Sequence, residues 1–267
     1  CPMVTVFHDL QHLRHPEFFR WFDLPFWRFL LRVSAWRSRV LIAISESTRR
    51  DLERFYHSPE VAVAPLGVDP EFFELAARAA PESSAPYLLC VSTLHPHKNL
   101  PRLVRVFARL RERRPELRLV LAGFRGFHAG AVEDTIRILG LDAAVTVTGW
   151  VPREELLALY RGAMAFVFPS LFEGFGIPLL EALAAGLPTA CSDIEPLRSL
   201  AGDAALRFDP EDSGAMLEAL ERLCSDEPLR RRLRAAGPER AREFSWERTA
   251  ALTLECLRQA ARPTGPR

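Results

Sequence analysis

The stretch Phe168-Pro-Ser-Leu-Phe-Glu-Gly-Phe-Gly-Ile-Pro-Leu-Leu-Glu181 gives the strongest indication of the fold. It begins at the end of a short apolar run typical of a buried strand and continues through a loop that holds Glu173. Pro178 fits the first position of a helix, and Gly186 fits its end. Strand, glycine-containing loop and helix start in this order are typical of α/β proteins with parallel sheets.

The same stretch carries groups that suit a nucleotide sugar. Gly174 and Gly176 let the backbone approach a ligand, and the free N–H groups of a helix start favour an anion such as a diphosphate. Glu181, about one turn inside the helix, can accept two hydrogen bonds from a ribose diol, and Glu173 can accept them from sugar hydroxyls. Taken singly, Glu173 is more often a surface charge and Glu181 a helix-dipole partner. Their coincidence with both glycines and Pro178 favours the nucleotide-sugar interpretation.

On both sides of this stretch, short apolar runs alternate with longer helical patterns. The predicted strands are Val4–Phe7, Val40–Ile44, Val61–Ala64, Tyr87–Val91, Arg118–Ala122, Val145–Thr148, Ala165–Phe168, Thr189–Ser192 and Ala205–Phe208. Helical patterns between them include Asn99–Arg113, Arg153–Arg161 and Ile177–Ala185. The alternation predicts an α/β fold of right-handed βαβ units, with an incomplete first Rossmann-like domain and a second that is a complete doubly wound parallel sheet.

The predicted boundary between these domains is Ala76–Ala85, which is small, polar and proline-containing. The predicted divisions are 1–75 as the C-terminal part of a first domain, 86–225 as the second domain, 226–262 as C-terminal helices and Pro263–Arg267 as a frayed tail. Because Cys1 stands directly before a strand-like run, we expect a longer amino-terminal region to precede it.

Composition excludes several classes of protein. A hydrophobic content of 48% supports a substantial core, and a net charge of +1 over 267 residues argues against a nucleic-acid binder. The five cysteines are odd in number and contain no CxxC pair, so we predict no disulfide framework, no zinc site and a cytoplasmic setting. No apolar run is long enough to span a bilayer, and no signal peptide is recognisable.

The stretch around Glu173 and Glu181 looks like the E-x7-E motif of retaining glycosyltransferases with two Rossmann domains, the GT-B type. It most resembles glycosyltransferase family 4, the glycosyl transferases group 1. The resemblance extends over nearly the whole chain, through Val40–Leu52, the Gly-Val-Asp turn in Ala64–Asp69, the loop Val91–Asn99, Gly149–Pro152 and Phe244–Trp246. The E-x7-E region is its most specific part.

The resemblance implies a role for each matching residue. Lys98 would neutralise the donor diphosphate, and Glu181 would bind the ribose. The transferred sugar would contact Glu173, Gly174 and the backbone around Phe175 and Gly176, with Gly149, Trp150 and Val151 near the nucleobase and His8 facing the sugar. His8, Lys98 and Glu173 form the implied catalytic set, and no metal or cofactor is expected. Without the family pattern, Lys98 is equally well a solvated lysine and His8 more often a cap or core histidine.

Some residues depart from the family pattern. His95 and His97 flank Pro96 where relatives often carry an arginine, so diphosphate neutralisation is weaker, pH-dependent or shared with Arg125. Ser199 stands where many relatives have a glutamate. The amino-terminal glycine-rich loop of the first domain is absent. Asp9 either orients the His8 ring or caps a turn.

The expected reaction moves a hexose from a nucleoside-diphosphate sugar to a saccharide or lipid-linked saccharide hydroxyl, with retention. GDP-mannose is the first expectation for the donor and a UDP-sugar the second. The alternatives are an epimerase or hydrolase of the same fold, and a nucleotide-sugar-binding fragment without transfer activity. For Phe18–Arg39, rich in Phe, Trp and Arg, a helix against the core is favoured over peripheral contact with the inner membrane face.

Overall fold

The computed structural model describes residues 2–58, 60–76, 86–126 and 129–262. By their contacts the residues form two units. Unit 1 is Cys1–Gly67, Glu173–Phe175 and Phe244–Arg267, and unit 2 is Val68–Phe172 and Gly176–Glu243. The predicted boundary lies almost wholly outside the described residues, as does the predicted tail.

The chain alternates strands and helices along its length. The strands are β1 (Val4–Phe7), β2 (Val40–Ala43), β3 (Val61–Val63), β4 (Tyr87–Val91), β5 (Arg118–Ala122), β6 (Val145–Gly149), β7 (Ala165–Phe168), β8 (Thr189–Ser192) and β9 (Leu206–Phe208). The helices are α1 (Gln11–Arg14), α2 (Leu24–Arg37), α3 (Glu46–Tyr56), α4 (Pro70–Ala76), α5 (Leu100–Arg111), α6 (Ala129–Ile138), α7 (Arg153–Gly162), α8 (Ile177–Ala184), α9 (Leu197–Ala201), α10 (Ser213–Ser225), α11 (Glu227–Ala241) and α12 (Trp246–Ala261). Short 3₁₀ turns cover Pro16–Phe18 and Pro96–Lys98.

Unit 1 contains a parallel sheet in the order β1-β2-β3. Phe7, Leu10 and Leu41 form a core on one side with Ala35 of α2, while Ile42 packs with Cys256 of α12 on the other. Because β2 is covered on both faces, all four of its residues are buried. A strand in this position is apolar at every residue rather than at alternate residues. α12 therefore completes this unit, although it comes last in the chain.

Unit 2 contains a parallel sheet in the order β6-β5-β4-β7-β8-β9. Helices pack on the sheet through side chains such as Leu103 and Phe107 of α5, which are fully buried with Leu88 and Val167 of the strands. Each such side chain contributes about 1.5–3 kcal/mol of apolar burial. The chain order reverses between β4 and β7, and at such a switch point the loops after adjacent strands diverge and leave a ligand crevice at the carboxyl edge.

These observations confirm the α/β fold with parallel sheets and all nine predicted strands, whose ends shift by one residue at most. The predicted divisions differ from the grouping by contacts at three places, one of which, Glu173–Phe175, is described with the site. Residues 68–76 group with unit 2 rather than with residues 1–67, and the C-terminal helices divide between units, since α12 belongs to unit 1. The cause is packing: the buried residues of α12, Cys256 and Ala260, lie against the first sheet.

Two further findings concern single residues and single helices. Cys90 and Cys191 are buried in β4 and β8, as predicted for core residues. Within the described ranges, no helix combines the length and the apolar character needed to cross a membrane.

Candidate functional site

The helix start predicted to hold an anion is present at α8 in unit 2. Gly176 is its N-cap with a φ of +111°, and this glycine has no side chain that could accept from the first N–H groups of the helix. Pro178 is the second residue of the helix, one position later than predicted. A β-carbon on Gly176 would lie 2.6 Å from a methyl group of Leu197, so the position requires glycine for space as well as for φ. The first N–H groups of α8 therefore keep their donor capacity and the positive end of the helix dipole.

Glu181 lies on α8 next to a buried tyrosine that the sequence analysis missed. The Tyr160 hydroxyl donates to Glu181 Oε2 at 2.8 Å, and Tyr160 is 1% exposed. Burial raises the pKa of Glu181 to about 7, although the Tyr160 hydrogen bond and Arg153 act in the opposite direction. Burial followed by the charge of Glu181 raises the pKa of Tyr160, which therefore stays a donor. The arrangement fixes one carboxylate oxygen of Glu181.

Arg153, at the start of α7, is the second residue that the sequence analysis missed. It donates to Asp69 at 2.7 Å and to Glu71 at 3.0 Å, and its guanidinium carbon lies 4.7 Å from the centroid of the Phe72 ring. Phe72 in turn packs edge-on against Tyr160. Of these two residues, Tyr160 is the one that the sequence could have indicated. Tyr160 is one of three tyrosines, and a buried tyrosine hydroxyl requires a partner.

Lys98 ends the 3₁₀ turn Pro96–Lys98 that follows β4. This turn is fixed to the loop after β7, because the His97 carbonyl accepts the Leu171 N–H at 2.7 Å. Lys98 Nζ lies 5.5 Å from the centroid of the Phe168 ring, the last residue of β7. The structure therefore places Lys98 beside the strand that leads into the E-x7-E loop.

The residues near Lys98 that depart from the family pattern are His95, His97 and Arg125, and each has a contact in the structure. His95 and His97 stack, with ring centroids 5.8 Å apart. Arg125 forms an ion pair with Glu133 at 2.8 Å, so its charge is already partly matched. Within the described residues no cluster of His, Cys, Asp and Glu side chains suits a metal ion.

Gly149 is the last residue of β6, and Trp150 and Val151 follow it at the same sheet edge. Gly149 has a φ of +73° with open space around it, and its carbonyl accepts the Gly123 N–H at 3.0 Å. Trp150 is 64% exposed, and its ring lies 6.5 Å from that of Phe124. An exposed indole beside a glycine offers an aromatic face and main-chain groups, the features that a nucleobase contacts.

In unit 1, His8 and the loop residues Glu173–Phe175 come together after β1. The His8 side chain is exposed, and its carbonyl accepts the Thr48 hydroxyl at 3.3 Å. A β-carbon on Gly174 would lie 2.2 Å from the His8 carbonyl oxygen. Asp9 Oδ1 accepts the backbone N–H of Gln11 at 2.9 Å, so Asp9 caps the turn into α1. Glu173 and Gly174 were predicted to lie in the second domain, but by contacts they belong to unit 1.

Comparison with known proteins identifies the family of this chain. Residues 72–240 match the family of glycosyl transferases group 1, and residues 1–72 match Glycosyltransferase Family 4. The O-antigen chain mannosyltransferase B of Escherichia coli is 28% identical over 96% of this chain and 70% of that protein. The serotype-specific mannosyltransferase WbdA of Escherichia coli is 29% identical over 94% of this chain, which spans 33% of that protein.

Among solved structures, the sucrose-phosphate synthase from Thermosynechococcus elongatus superimposes with a TM-score of 0.81 at 23% identity. The match covers 96% of this chain and 67% of the synthase. At this identity the likeness supports the fold, and the family match, which covers more than half of the chain, supports the assignment. The chain therefore belongs to the group 1 glycosyltransferases of glycosyltransferase family 4, which have the GT-B fold.

Proposed function

We propose that this chain carries the donor-binding machinery of a retaining mannosyltransferase that moves mannose from a nucleoside-diphosphate sugar to a hydroxyl of a saccharide or lipid-linked saccharide. The observation that carries the proposal is the uncapped start of α8 with Glu181 one turn inside it, held by Tyr160. The choice of mannose is supported by the two Escherichia coli relatives, both named as mannosyltransferases. GDP-mannose is the donor of first choice and a UDP-sugar the second.

Within unit 2, each part of the nucleotide has a suitable partner. The diphosphate would accept hydrogen bonds from the first N–H groups of α8 and would lie near the charge of Lys98. The oxygen of Glu181 that Tyr160 does not hold would accept from the ribose hydroxyls. The base would lie against Gly149, Trp150 and Val151. We propose that Lys98 and the N–H groups of α8, rather than a metal, stabilise the negative charge that develops on the departing diphosphate.

The transferred sugar would be held by Glu173 and the backbone of Gly174, Phe175 and Gly176, with His8 beside them. The reaction would then proceed by attack on the face from which the diphosphate leaves. The acceptor oxygen forms the new bond to the anomeric carbon as the bond to the β-phosphate oxygen breaks, and that phosphate takes the acceptor proton. Glu173 binds hydroxyls in this scheme and is not the nucleophile that a double displacement would require.

The test is a thermal-shift series with GDP, UDP, ADP and their mannose or glucose derivatives. A ligand of the native site stabilises by mass action, about 2.7 kcal/mol at a concentration of 100 times its dissociation constant. We expect GDP and GDP-mannose to raise the melting temperature most, and Glu181→Gln to reduce this shift. Equal shifts for all nucleotides, or none, would overturn the assignment of the donor.

Transfer itself is measured with radiolabelled GDP-mannose and an oligomannose acceptor, with and without a chelator. We expect acceptor-dependent product that survives the chelator. Release of free mannose without acceptor dependence would favour a hydrolase, and binding without turnover would favour a nucleotide-sugar-binding fragment. A lipid-linked acceptor would bring the reaction to the inner face of a membrane, where this chain would act as a peripheral protein.

A further inference from the structure

We propose that helix α2 of unit 1, together with the turn at residues 21–23 before it, docks this protein on an anionic lipid bilayer through its exposed side. The surface concerned, called the α2 surface below, consists of the exposed apolar side chains Trp21, Phe22, Phe26, Trp27, Phe29, Leu30 and Trp36 and the arginines that accompany them. The inference extends the proposed function to the place where a lipid-linked acceptor is met. It does not depend on the identity of the donor.

The α2 surface concentrates exposed apolar area to an unusual degree. Trp21, Phe29 and Trp36 are 81%, 71% and 83% exposed. Sixteen large hydrophobic residues are exposed among the described ranges, and seven of them lie between Trp21 and Trp36. Scattered exposed hydrophobics are ordinary, whereas a contiguous patch marks an interaction surface. The α2 surface therefore indicates a partner whose apolar region can take up indole and phenyl rings.

The spacing of these residues shows that the exposed face is distinct from the face that packs. Leu31 and Ala35, four residues apart, face the core formed by Phe7 and Leu10. Phe26, Phe29, Val33 and Trp36 recur at intervals of three and four and so share the opposite side of the helix. The sequence analysis favoured a helix packed against the core over a membrane contact. The structure shows the packing on one face and leaves the other face apolar and exposed.

The charge of this segment selects the kind of partner. Between Phe18 and Ser45 the chain has five arginines and one aspartate, a net charge of +4, against +1 for the whole chain. All five arginines, at positions 20, 28, 32, 37 and 39, are exposed, and none forms an ion pair among the described residues. Two copies of this chain would repel each other through such a face. Rings that enter the headgroup region, flanked by arginines near lipid phosphates, are the arrangement of interfacial helices.

A groove continues the α2 surface towards α3. It has a volume of about 410 Å³ and is lined by Phe29, Arg32, Val33 and Trp36 on one side and by Phe55, Tyr56 and His57 on the other. Its lining is mostly apolar, and Arg32 and His57 are its basic side chains. An apolar cleft with a cation at its side suits the glycerol and upper acyl region of a phospholipid, so the groove and the surface point to the same partner.

The experiment measures co-sedimentation with vesicles made of phosphatidylglycerol and phosphatidylcholine in equal parts, and with vesicles of phosphatidylcholine alone. We expect strong binding to the first and weak binding to the second. Raising the ionic strength from about 0.1 M to about 1 M shortens the screening length from about 10 Å to about 3 Å and should weaken binding. Three of the five tryptophans lie in the α2 surface, so vesicles carrying brominated lipid should quench the fluorescence on contact.

Two variants test the apolar and the cationic components separately. Phe29→Ser combined with Trp36→Ser should lower the partition coefficient about 100-fold, about tenfold for each ring, from about 1.5 kcal/mol of apolar burial each. Arg32→Gln combined with Arg37→Gln should lower it about 25-fold, from about 1 kcal/mol for each arginine near an anionic surface. The matched controls are Leu254→Ser with Leu257→Ser on α12 and Arg231→Gln with Arg232→Gln on α11, all at exposed positions.

The outcome decides between this proposal and its rivals. Vesicle binding that is absent, or that both control pairs reduce as strongly as the α2 variants, would overturn it. A longer form of the protein with residues before Cys1 should also bind; if it does not, the added segment is the partner of the α2 surface and the lipid proposal is wrong. Nucleotide-induced thermal shifts, measured without vesicles, must be unchanged in the α2 variants, so a failure here is separate from a failure of the proposed transfer reaction.

Discussion

The backbone of Gly174 lies against the carbonyl group of His8. A β-carbon built on Gly174 would be 2.2 Å from the His8 oxygen and 3.1 Å from the β-carbon of Asp9. A contact as short as 2.2 Å does not occur in folded proteins, so this approach requires a residue without a side chain. In the family pattern, both His8 and Glu173 contact the donor sugar. The close approach of Gly174 to His8 brings the backbone segments that carry these two residues side by side in unit 1.

We therefore predict that Gly174→Ala abolishes transfer and lowers the free energy of unfolding. The added methyl group must displace the loop from the His8 carbonyl, and such overpacking costs about 1–3 kcal/mol. Melting temperature and kcat/KM check this in the same preparation. Gly130→Ala in helix α6 is the matched control, since its methyl group meets no atom of the described residues within 4 Å, and it should stabilise by about 0.4–1 kcal/mol. Full activity of Gly174→Ala would contradict the proposed use of this loop.

Tyr160 offers a second test, because its hydroxyl holds the Glu181 carboxylate at 2.8 Å and also lies 3.3 Å from the Pro178 carbonyl oxygen. Removing its hydroxyl in Tyr160→Phe takes away the donor at 2.8 Å from Glu181 Oε2, and a hydrogen bond to a charged group is worth about 1.5–3 kcal/mol. We expect weaker binding of nucleosides and a further rise in the pKa of Glu181, with little effect on binding of inorganic pyrophosphate. Isothermal titration with both ligands separates the two effects.

Tyr87→Phe is the control for that variant. The Tyr87 hydroxyl donates to the Leu159 carbonyl at 2.7 Å in the same unit, and burial raises its pKa to about 12. Loss of this hydrogen bond should lower stability without changing nucleoside affinity. If the two variants bind nucleosides equally well, Tyr160 does not position Glu181 for the ligand.

The pKa of Glu181 predicts opposite trends for stability and for binding. Burial raises it from 4.5 to about 7, so between these pH values the folded protein holds a proton that the unfolded chain has lost. Stability without ligand should therefore fall as pH rises through this window. Nucleoside binding should strengthen through the same window, because only the ionised carboxylate accepts both ribose hydroxyls.

Glu181→Gln should flatten both profiles, which are measured by denaturant unfolding and by titration with GDP at each pH. Arg153 remains charged throughout this pH range, so its effect on the pKa of Glu181 does not change with pH. A pH dependence of affinity that persists in Glu181→Gln would assign the titration to another group, and His95 and His97 in the loop before Lys98 would be the next to test.

The strands and the helix start could be predicted from the sequence, because both depend on local patterns of residues. The apolar run Ala165–Phe168, the glycine at 176 and Pro178 fix strand, turn and helix within about a dozen residues. The role of Tyr160 was not predictable in the same way. Its partner Glu181 is 21 positions away, and the pairing depends on how α7 and α8 pack. Grouping of α12 with the first sheet likewise depends on contacts between residues such as Ile42 and Cys256, which no local pattern encodes.

Lys98 supports the sharpest chemical test, because it is the only lysine in a chain with 34 arginines. A lysine ammonium is a compact point charge, whereas guanidinium is a wider planar fork, so arginine at this position keeps the charge but changes where its donors lie. Lys98→Gln should lower kcat/KM by about 10²–10³, the loss expected for a donor that stabilises a developing oxyanion. Lys98→Arg should recover only part of this loss.

Amine-specific labelling tests the same residue without mutation. The reagent can modify only Lys98 and the terminal amine of the chain, so the terminal amine serves as an internal control within each sample. A bound nucleoside-diphosphate sugar should slow acetylation of Lys98, read by mass spectrometry, and leave the terminal amine unchanged. Because Lys98 lies beside Phe168 at the strand that leads into the E-x7-E loop, protection by the diphosphate but not by mannose alone is the expected result. Equal labelling of Lys98 with and without the nucleotide would place the diphosphate elsewhere and leave Lys98 as a partner of the Phe168 ring.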